Sequence, residues 1–575
     1  MRRRTKVLRP SFAGRWWIRA VEVAQPLARV GWWTIWSAIE DVTIRVGGPR
    51  VGKSGELAGR ILDAPGAVIA TTTRTDLYDT CAPVLRTDRA RSVFNLFGLG
   101  VAVLIAEVLY VVDTPLWITV TVSVVAVVPM SILFGPRPHA GRPVYVFNPS
   151  GLGGLASTVA FNPLVGCKDP VTANHRAGDL LAGAGSSGGG SDERQHWVEQ
   201  ARRALAMLMH AAALHDRTMG DVLAWAADPG RAEREVLALL AKSTAHSVVE
   251  DAKQFFSTND RTQSSITTTI MPALGWLSDP RAWEVTQSTG DGRRVQLDIG
   301  VLLELRGAVF LLGGEEAQSA PLVTALTGYI AREARHLASM SPAGRLDPGL
   351  TLVLDEAALV CPVPLDKWTA DMGGRNICIH IGVQSFQQLV DRFGKAAAAS
   401  ILTNAGTLMV FGGTRSEDDL RLYSMLAGDR EETQYTHDAW GRVTATTTRV
   451  SPTIPVGMVA QLRARQVVLF KRGMFPMIGR VQMAWTRPDV KWAKRAQRWA
   501  ARTDALAHRA ARNRRITSLV LAEFTAWVKP RAARLVAWVL DRFVRVGRRI
   551  EERHTARRTR RMVAAAQRRG QGRDL

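Results

Sequence analysis

Short apolar runs alternate with amphipathic helical stretches over much of this 575-residue chain. The runs rich in β-branched residues that predict strands are 42–46, 144–147, 309–312, 350–354, 377–381, 407–411 and 467–470. Between them, residues from about 175 to 285 are helical in pattern, apart from a Gly/Ser loop at 184–190. Alternation of strands and helices is typical of a mostly parallel sheet covered by helices. The pattern therefore predicts an α/β fold that carries an all-α domain.

Two long apolar stretches interrupt this alternation and predict a membrane-spanning helical hairpin. Residues 93–112 and 116–134 are separated by Asp113, Thr114 and Pro115. Each stretch is close to the roughly 20 residues needed to cross a bilayer. Arginines flank both ends of the pair, with Arg137 and Arg142 after it, so the positive-inside rule places both ends in the cytoplasm. The alternative is a helical hairpin buried in a soluble core.

The formal net charge of +24 is concentrated at the two ends of the chain. Residues 1–40 hold eight Lys or Arg against two Glu, and residues 486–575 hold 25 Lys or Arg against seven Asp or Glu. A near-neutral body with basic ends favours contact with an extended anion, either nucleic acid or anionic lipid headgroups. Solvated arms without a partner are the alternative.

One motif suggests the chemistry of the α/β region. Residues 47–54 read Gly-Gly-Pro-Arg-Val-Gly-Lys-Ser, which is the G-x-x-x-x-G-K-[ST] phosphate loop. A β-branched run precedes it and a helix-forming stretch follows, so backbone N–H groups and a positive helix end would face a chain of phosphates. The predicted cofactors are ATP and Mg²⁺. The predicted nucleotide-binding residues are Gly47, Gly48, Pro49, Arg50, Val51, Gly52, Lys53, Ser54 and Gly55.

An acidic pair, Asp355 and Glu356, ends the almost entirely apolar run 350–354, which is typical of the middle of a parallel sheet. In such a sheet the pair would face the phosphate loop. We predict that Asp355 and Ser54 hold the Mg²⁺, and that Glu356 polarises the attacking water. Lys53 would bridge the β- and γ-phosphates. Without the loop, the pair would be an ordinary strand end.

The next strand along the chain supplies two further catalytic candidates. Gln384 follows it and is placed to bind the γ-phosphate or the attacking water, and to report hydrolysis to the helix after it. The alternative is that Gln384 only caps that helix. Arg375 precedes the strand and is a candidate finger towards the nucleotide of a neighbouring subunit.

Ten segments together carry a family resemblance: 64–68, 71–77, 146–149, 162–164, 352–357, 374–376, 382–385, 388–389, 393–394 and 450–485. They resemble the TraG/TraD-like coupling ATPases of conjugative type IV secretion, over about residues 41–485. The resemblance implies a RecA-like P-loop ATPase of the RecA/FtsK type that forms a hexamer, with the all-α domain inserted in the nucleotide-binding domain. The position of the predicted hairpin departs from the family, which usually carries its membrane segments ahead of the loop.

The function implied is that of a membrane-anchored, ATP-hydrolysing coupling protein. It would recruit and translocate DNA, which we expect to be single-stranded, or a DNA–relaxase complex, to a secretion channel. The implied partners are DNA, a relaxase, channel components, the anionic membrane and further copies of the chain. We expect the inner membrane of a bacterium, with two spans and with the ATPase body and both termini in the cytoplasm. The alternatives are a translocase for proteins or duplex DNA and a non-hydrolysing recruitment receptor.

These inferences divide the chain into seven parts. Residues 1–40 are a basic, Trp-rich segment, 93–135 the transmembrane hairpin, 175–285 the all-α domain and 486–575 a basic helical C-terminal tail. The nucleotide-binding domain comprises residues 41–92 with the phosphate loop, 136–174, and 286–485 with the acidic pair and Gln384.

Overall fold

The computed structural model describes residues 24–86, 141–185, 192–287, 294–314, 318–437 and 439–498. The predicted membrane hairpin at 93–135 and nearly all of the predicted basic tail lie outside these ranges. Within them, none of the helices combines the length and the apolar character needed to cross a bilayer. The elements given below belong to one compact unit, Met1–Lys494.

The predicted α/β architecture is confirmed, since the described residues centre on an 11-stranded sheet of order β2-β1-β15-β14-β11-β3-β10-β9-β4-β8-β5. The strands are β1 (Ala24–Val30), β2 (Trp33–Ala38), β3 (Thr43–Val46), β4 (Val68–Thr72), β5 (Val144–Phe147), β6 (Val159–Ala160), β7 (Val295–Gln296), β8 (Ala308–Leu312), β9 (Leu350–Leu354), β10 (Ile377–Val383), β11 (Thr407–Phe411), β12 (Asp429–His437), β13 (Val443–Pro452), β14 (Gln466–Lys471) and β15 (Met477–Arg480).

The middle of the sheet is parallel, from β11 through β3, β10, β9, β4 and β8 to β5. Ile44 of β3 pairs with Ile381 of β10 on one side and with Leu408 of β11 on the other. Strands β3, β4, β8, β9, β10 and β11 are buried along their whole length, as expected of a parallel sheet covered on both faces. Two small sheets, β6–β7 and β12–β13, stand apart from it.

The sheet extends into the segment 1–40, which the sequence predicts to be separate from the nucleotide-binding domain. Strands β14, β15, β1 and β2 continue the sheet beyond β11 with antiparallel pairing. Leu27 and Ala28 of β1 are buried in a cluster with Val467 and Leu469 of β14. The predicted boundary at residue 40 therefore differs from the structure, because the burial of Leu27 and Ala28 depends on strands more than 400 residues later in the chain.

Helices cover the sheet and form the helical region between β6 and β7. They are α1 (Lys53–Asp63), α2 (Asp76–Arg86), α3 (Pro170–Gly183), α4 (Asp192–Leu214), α5 (Met219–Ala227), α6 (Pro229–Leu240), α7 (His246–Ser257), α8 (Asp260–Leu274), α9 (Pro280–Glu284), α10 (Ile299–Glu304), α11 (Ala320–Met340), α12 (Ala357–Val360), α13 (Leu365–Asp371), α14 (Phe386–Phe393), α15 (Lys395–Asn404), α16 (Glu417–Ala427) and α17 (Val456–Ala460).

Polar caps define where several helices of the region α3–α9 begin. Asp169 accepts hydrogen bonds from two N–H groups of α3, Thr218 and Asp221 form a capping box at α5, and Asn259 caps α8. One apolar core runs from these helices into the sheet, and it includes Leu180 of α3 and Leu352 of β9.

The surroundings of Arg142 differ from those that the sequence predicts. The sequence counts it among the arginines that flank the membrane hairpin. In the structure it is buried and donates hydrogen bonds to the carbonyl oxygens of Ala64 and Gly66, each at 2.8 Å. Its guanidinium therefore holds the turn after α1 instead of facing a headgroup.

A buried ion pair closes the strand–loop–helix unit around the phosphate loop. Arg45 of β3 and Glu56 in the first turn of α1 are 0% and 1% exposed, and Nε and Nη2 of Arg45 both donate to the Glu56 carboxylate. Nε of Arg60, one turn later, lies 3.1 Å from the same carboxylate. Because a buried charge is tolerated only when it is paired, this cluster fixes α1 relative to β3 on both sides of the loop.

We predict that Glu56→Gln lowers the free energy of unfolding by about 3–5 kcal/mol, because it leaves the buried Arg45 guanidinium without its counter-ion. Urea unfolding followed by circular dichroism measures the change. Glu417→Gln is the control, since the Glu417–Arg421 pair on α16 is about 70% exposed. Its effect should stay below about 1 kcal/mol. Equal effects of the two substitutions would contradict a stabilising role for the buried pair.

Candidate nucleotide site

The candidate site lies where three neighbouring parallel strands end. Strand β10 lies between β3 and β9, and all three run in the same direction. The backbone N–H of Gly47 donates to the carbonyl oxygen of Val383 at 3.2 Å, which ties the start of the phosphate loop to the end of β10. Parallel strands present their carboxyl ends at one edge, so the loop, the acidic pair and Gln384 share that edge.

The backbone of the loop depends on its glycines. A Cβ at Gly47 would lie 2.7 Å from Cβ of Phe411, and Gly52 has a φ of 107°, in the left-handed region. Gly52 precedes α1 without a side-chain cap, so no side chain competes for the N–H groups of the first turn. Uncapped N–H groups and the positive end of a helix are suited to bind phosphate.

Four predicted site residues come together across some 300 positions of sequence. Nζ of Lys53 lies 2.9 Å from Oε1 of Glu356 and 3.3 Å from the carbonyl oxygen of Gly47. The Ser54 hydroxyl donates to Oδ2 of Asp355 at 2.8 Å. A lysine, a hydroxyl and two carboxylates therefore meet at the first turn of α1.

The surroundings of Asp355 and Glu356 are unfavourable for the two side chains. Asp355 is 4% exposed, and burial raises its pKa to about 6 with a further contribution from Glu356, although Lys53 and the Ser54 hydrogen bond act in the opposite direction. Glu356 adopts a φ of 52°, which is costly for a residue with a Cβ. Oδ1 of Asp355 and Oε2 of Glu356 are buried without a hydrogen-bond partner. Such features cluster at functional sites.

The residues fit a nucleotide with Mg²⁺ better than a metal held by protein alone. Ser54 and Asp355 offer the hard oxygen ligands that Mg²⁺ prefers, and in nucleotide sites one or two such ligands suffice because phosphates and water supply the others. In the part of the chain that the structure describes, no group of three or more His, Cys, Asp or Glu side chains could hold a metal ion.

Gln384 is partly buried beside the loop, and its backbone N–H donates to Oε1 of Gln388 at 3.0 Å. The helix cap that the sequence offered as its alternative role belongs to Ser385, whose Oγ accepts from the N–H of Gln388 at 3.1 Å. The side chain of Gln384 is therefore not needed for capping.

Arg375 lies at the opposite end of β10 from the phosphate loop, where its Nε is 3.2 Å from Oδ2 of Asp371. A strand of this length spans roughly 20 Å. The structure therefore does not bring Arg375 to the other predicted site residues. A role towards a neighbouring subunit stays a prediction.

Two features of the site are not among the predicted residues. A Cβ at Gly382 would lie 2.9 Å from Oδ1 of Asp355, so this glycine makes room for the carboxylate. A glycine inside a strand is a sequence signal for such a close approach. The second feature is Trp485, whose indole lies against Gly55. No local pattern connects residues 430 positions apart.

Residues 349–463 match the family model described as the TraM recognition site of TraD and TraG. Over these residues the chain is similar to TraD and TraG. The matched segment contains β9 with the acidic pair, β10 with Gln384, and β11 to β13. A comparison with curated protein sequences found no match.

The fold of the chain is similar to that of solved structures of the bacterial conjugative coupling protein TrwB. A TrwBdeltaN70 structure in complex with sulphate aligns with a TM-score of 0.53 at 15% identity, covering 83% of this chain and 95% of that one. TrwB with the non-hydrolysable GTP analogue GDPNP gives 0.51 at 15% identity, with the same coverage. TrwB with the ATP analogue ADPNP gives 0.50 at 16% identity, covering 78% and 88%. These likenesses show a shared fold.

We predict that Asp355→Asn stabilises the nucleotide-free protein at pH 7.5 and that the gain fades towards pH 4. The folded pKa of about 6 exceeds the ordinary value of 3.8, so ionisation at neutral pH weakens the folded state. An acid whose pKa is raised by folding does not destabilise the folded state at a pH below its unfolded pKa. The destabilisation develops as the pH rises through the folded pKa. The shift corresponds to about 3 kcal/mol.

Thermal melting in EDTA at several pH values measures this difference. Asp391→Asn on the exposed surface of α14 is the control and should show no such pH-dependent gain. An Asp355→Asn variant that is less stable than wild type at pH 7.5 would contradict the prediction.

Proposed function

We propose that this chain is an ATP-hydrolysing coupling protein, anchored in a bacterial inner membrane, that delivers DNA or a DNA–relaxase complex to a conjugative type IV secretion channel. One observation carries the enzymatic part of the proposal. Lys53 and Ser54 of the phosphate loop meet Glu356 and Asp355, respectively, at 2.9 Å and 2.8 Å. These are the groups that phosphate-loop hydrolysis requires.

Each residue takes a role that its position allows. Bound Mg²⁺ would offset the negative charge of the phosphates. Ser54 and Asp355 would hold it, and the N–H groups of the loop would bind phosphate oxygens. Lys53, now paired with Glu356, would turn to the β- and γ-phosphates. Glu356 would then be free to accept a proton from water, with Gln384 orienting that water.

The proposals for the cargo and the membrane anchor are supported by other observations. TrwB is a conjugative coupling protein, and its structures contain ATP and GTP analogues. The family segment matched at 349–463 is described by its recognition of TraM, which favours a DNA-processing partner. The anchor rests on the apolar stretches within 93–135, and a hexameric state rests on the family resemblance.

We predict that Glu356→Gln lowers kcat for ATP hydrolysis by about 10²–10⁴-fold while ADPNP still binds, because the substitution removes the base and not the phosphate contacts. Lys53→Ala should lose ADPNP binding as well. Phosphate release and calorimetric titration measure the two effects, with Glu417→Gln as an inert control. Conjugative transfer that survives Glu356→Gln would instead support the non-hydrolysing receptor.

We further predict that single-stranded DNA stimulates the ATPase at low salt and that the stimulation falls steeply as salt rises, since Lys and Arg contacts to phosphate release counterions. The full chain in detergent is assayed with single-stranded DNA, duplex DNA and candidate protein cargo. Activity that is indifferent to DNA at both low and high salt would count against DNA translocation, and stimulation by protein alone would support the protein translocase.

A further inference from the structure

A segment from the far end of the sheet lies along the phosphate loop. After β15, Ala484–Thr486 form a single 3₁₀ turn, and Ala484 is buried in the core cluster that contains Leu57 of α1. The N–H and Oγ1 of Thr486 both donate to the carbonyl oxygen of Met483, at 2.9 Å and 2.7 Å. The turn is therefore rigid and fixed against α1.

An ion pair fixes the segment at the other end of the same helix. Nη1 of Arg487 lies 2.8 Å from Oδ1 of Asp63, the last residue of α1, and Nη2 lies 3.1 Å from Oδ2 of Asp489. All three side chains are less than 20% exposed. The backbone on both sides of Trp485 is thus held against α1 by interactions that do not involve the indole.

Two side chains of this segment contact glycines of the predicted nucleotide site. A Cβ at Gly52 would lie 3.0 Å from Sδ of Met483. A Cβ at Gly55 would lie 2.2 Å and 2.4 Å from Cζ3 and Cη2 of Trp485. Met483 is buried, whereas Trp485 is 44% exposed. The six-membered ring of the indole therefore touches the residue after Ser54, while Trp485 as a whole remains open to solvent.

The position of Gly55 in the motif indicates which end of a nucleotide would come near this indole. In a phosphate loop the lysine reaches the β- and γ-phosphates, and the backbone cradles the α- and β-phosphates. Lys53 and its partner Glu356 therefore mark the γ end of the site. The nucleoside would extend from the opposite side, beyond the α-phosphate. Gly55 follows Lys53 and Ser54 in the first turn of α1, whose N–H groups would face the phosphates. An exposed indole at that place offers a flat surface to a base.

We propose that Trp485 is the stacking surface for the purine base of the bound nucleotide, an inference that rests on the proposed ATPase function. Every base has a π-face, so stacking tolerates both adenine and guanine. The contribution of one base–aromatic stack corresponds to an affinity change on the order of tenfold.

The test compares full-length wild type, Trp485→Ala and Trp485→Phe in detergent by calorimetric titration. The probes are Mg-ADPNP, Mg-GDPNP and Mg-tripolyphosphate, which lacks a nucleoside. Trp485→Ala should weaken binding of both nucleotides about tenfold and leave tripolyphosphate unchanged. Trp485→Phe should retain most of the affinity. The control is Trp440→Ala, at an exposed tryptophan beside the separate β12–β13 sheet.

Two results would overturn the stacking role. Unchanged nucleotide affinity in Trp485→Ala would show that the base does not use the indole. An equal loss for nucleotides and tripolyphosphate would show that the indole only supports the loop. Wild-type protein that binds none of the three probes would overturn the proposed function itself, and this inference with it.

Discussion

The buried ion pair between Arg45 and Glu56 is the constraint on which the candidate site depends. Three of the eight residues of the phosphate loop are glycines, and Pro49 and Arg50 are exposed, so few of its side chains help to position it. Its geometry is set by what precedes and follows it. Arg45 and Glu56 join the strand to the helix, and the hydrogen bond from Gly47 to Val383 joins the loop to the neighbouring strand. The mutual pairing of Arg45 and Glu56 offsets part of the cost of burying their charges, and removing either partner would leave a buried charge unpaired.

The Arg45–Glu56 ion pair supports a site whose own carboxylates are poorly stabilised. Asp355 has a raised pKa, Glu356 has a left-handed backbone, and each has a buried oxygen without a partner. Lys53 and Ser54 compensate these charges only in part. A folded protein tolerates such strain when its surroundings are rigid, and here the surroundings are fully buried parallel strands. The arrangement of these groups is therefore unfavourable for stability, as expected of the proposed nucleotide site.

The site is physically continuous with the helical region. Helix α14 begins two residues after Gln384, and its first N–H donates to Oδ2 of Asp419 on α16 at 2.9 Å. At its other end, Arg392 donates to the carbonyl oxygen of Ala182 on α3. One short helix thus touches the nucleotide edge, the helix α16 and the helical region. Coupling between distant parts of a protein needs contiguous packed contacts of this kind.

The sequence by itself determined many of the elements and the residues on which the proposed chemistry rests. Strands 350–354 and 407–411 begin and end where their patterns predict, and the loop and the acidic pair were recognisable because periodicity and motif spacing are local properties. Only the tertiary structure decided that β1 and β2 join the sheet beyond β15, and that Trp485 covers Gly55. Those outcomes depend on pairing and packing between residues that are distant in the chain, and no local pattern encodes such contacts.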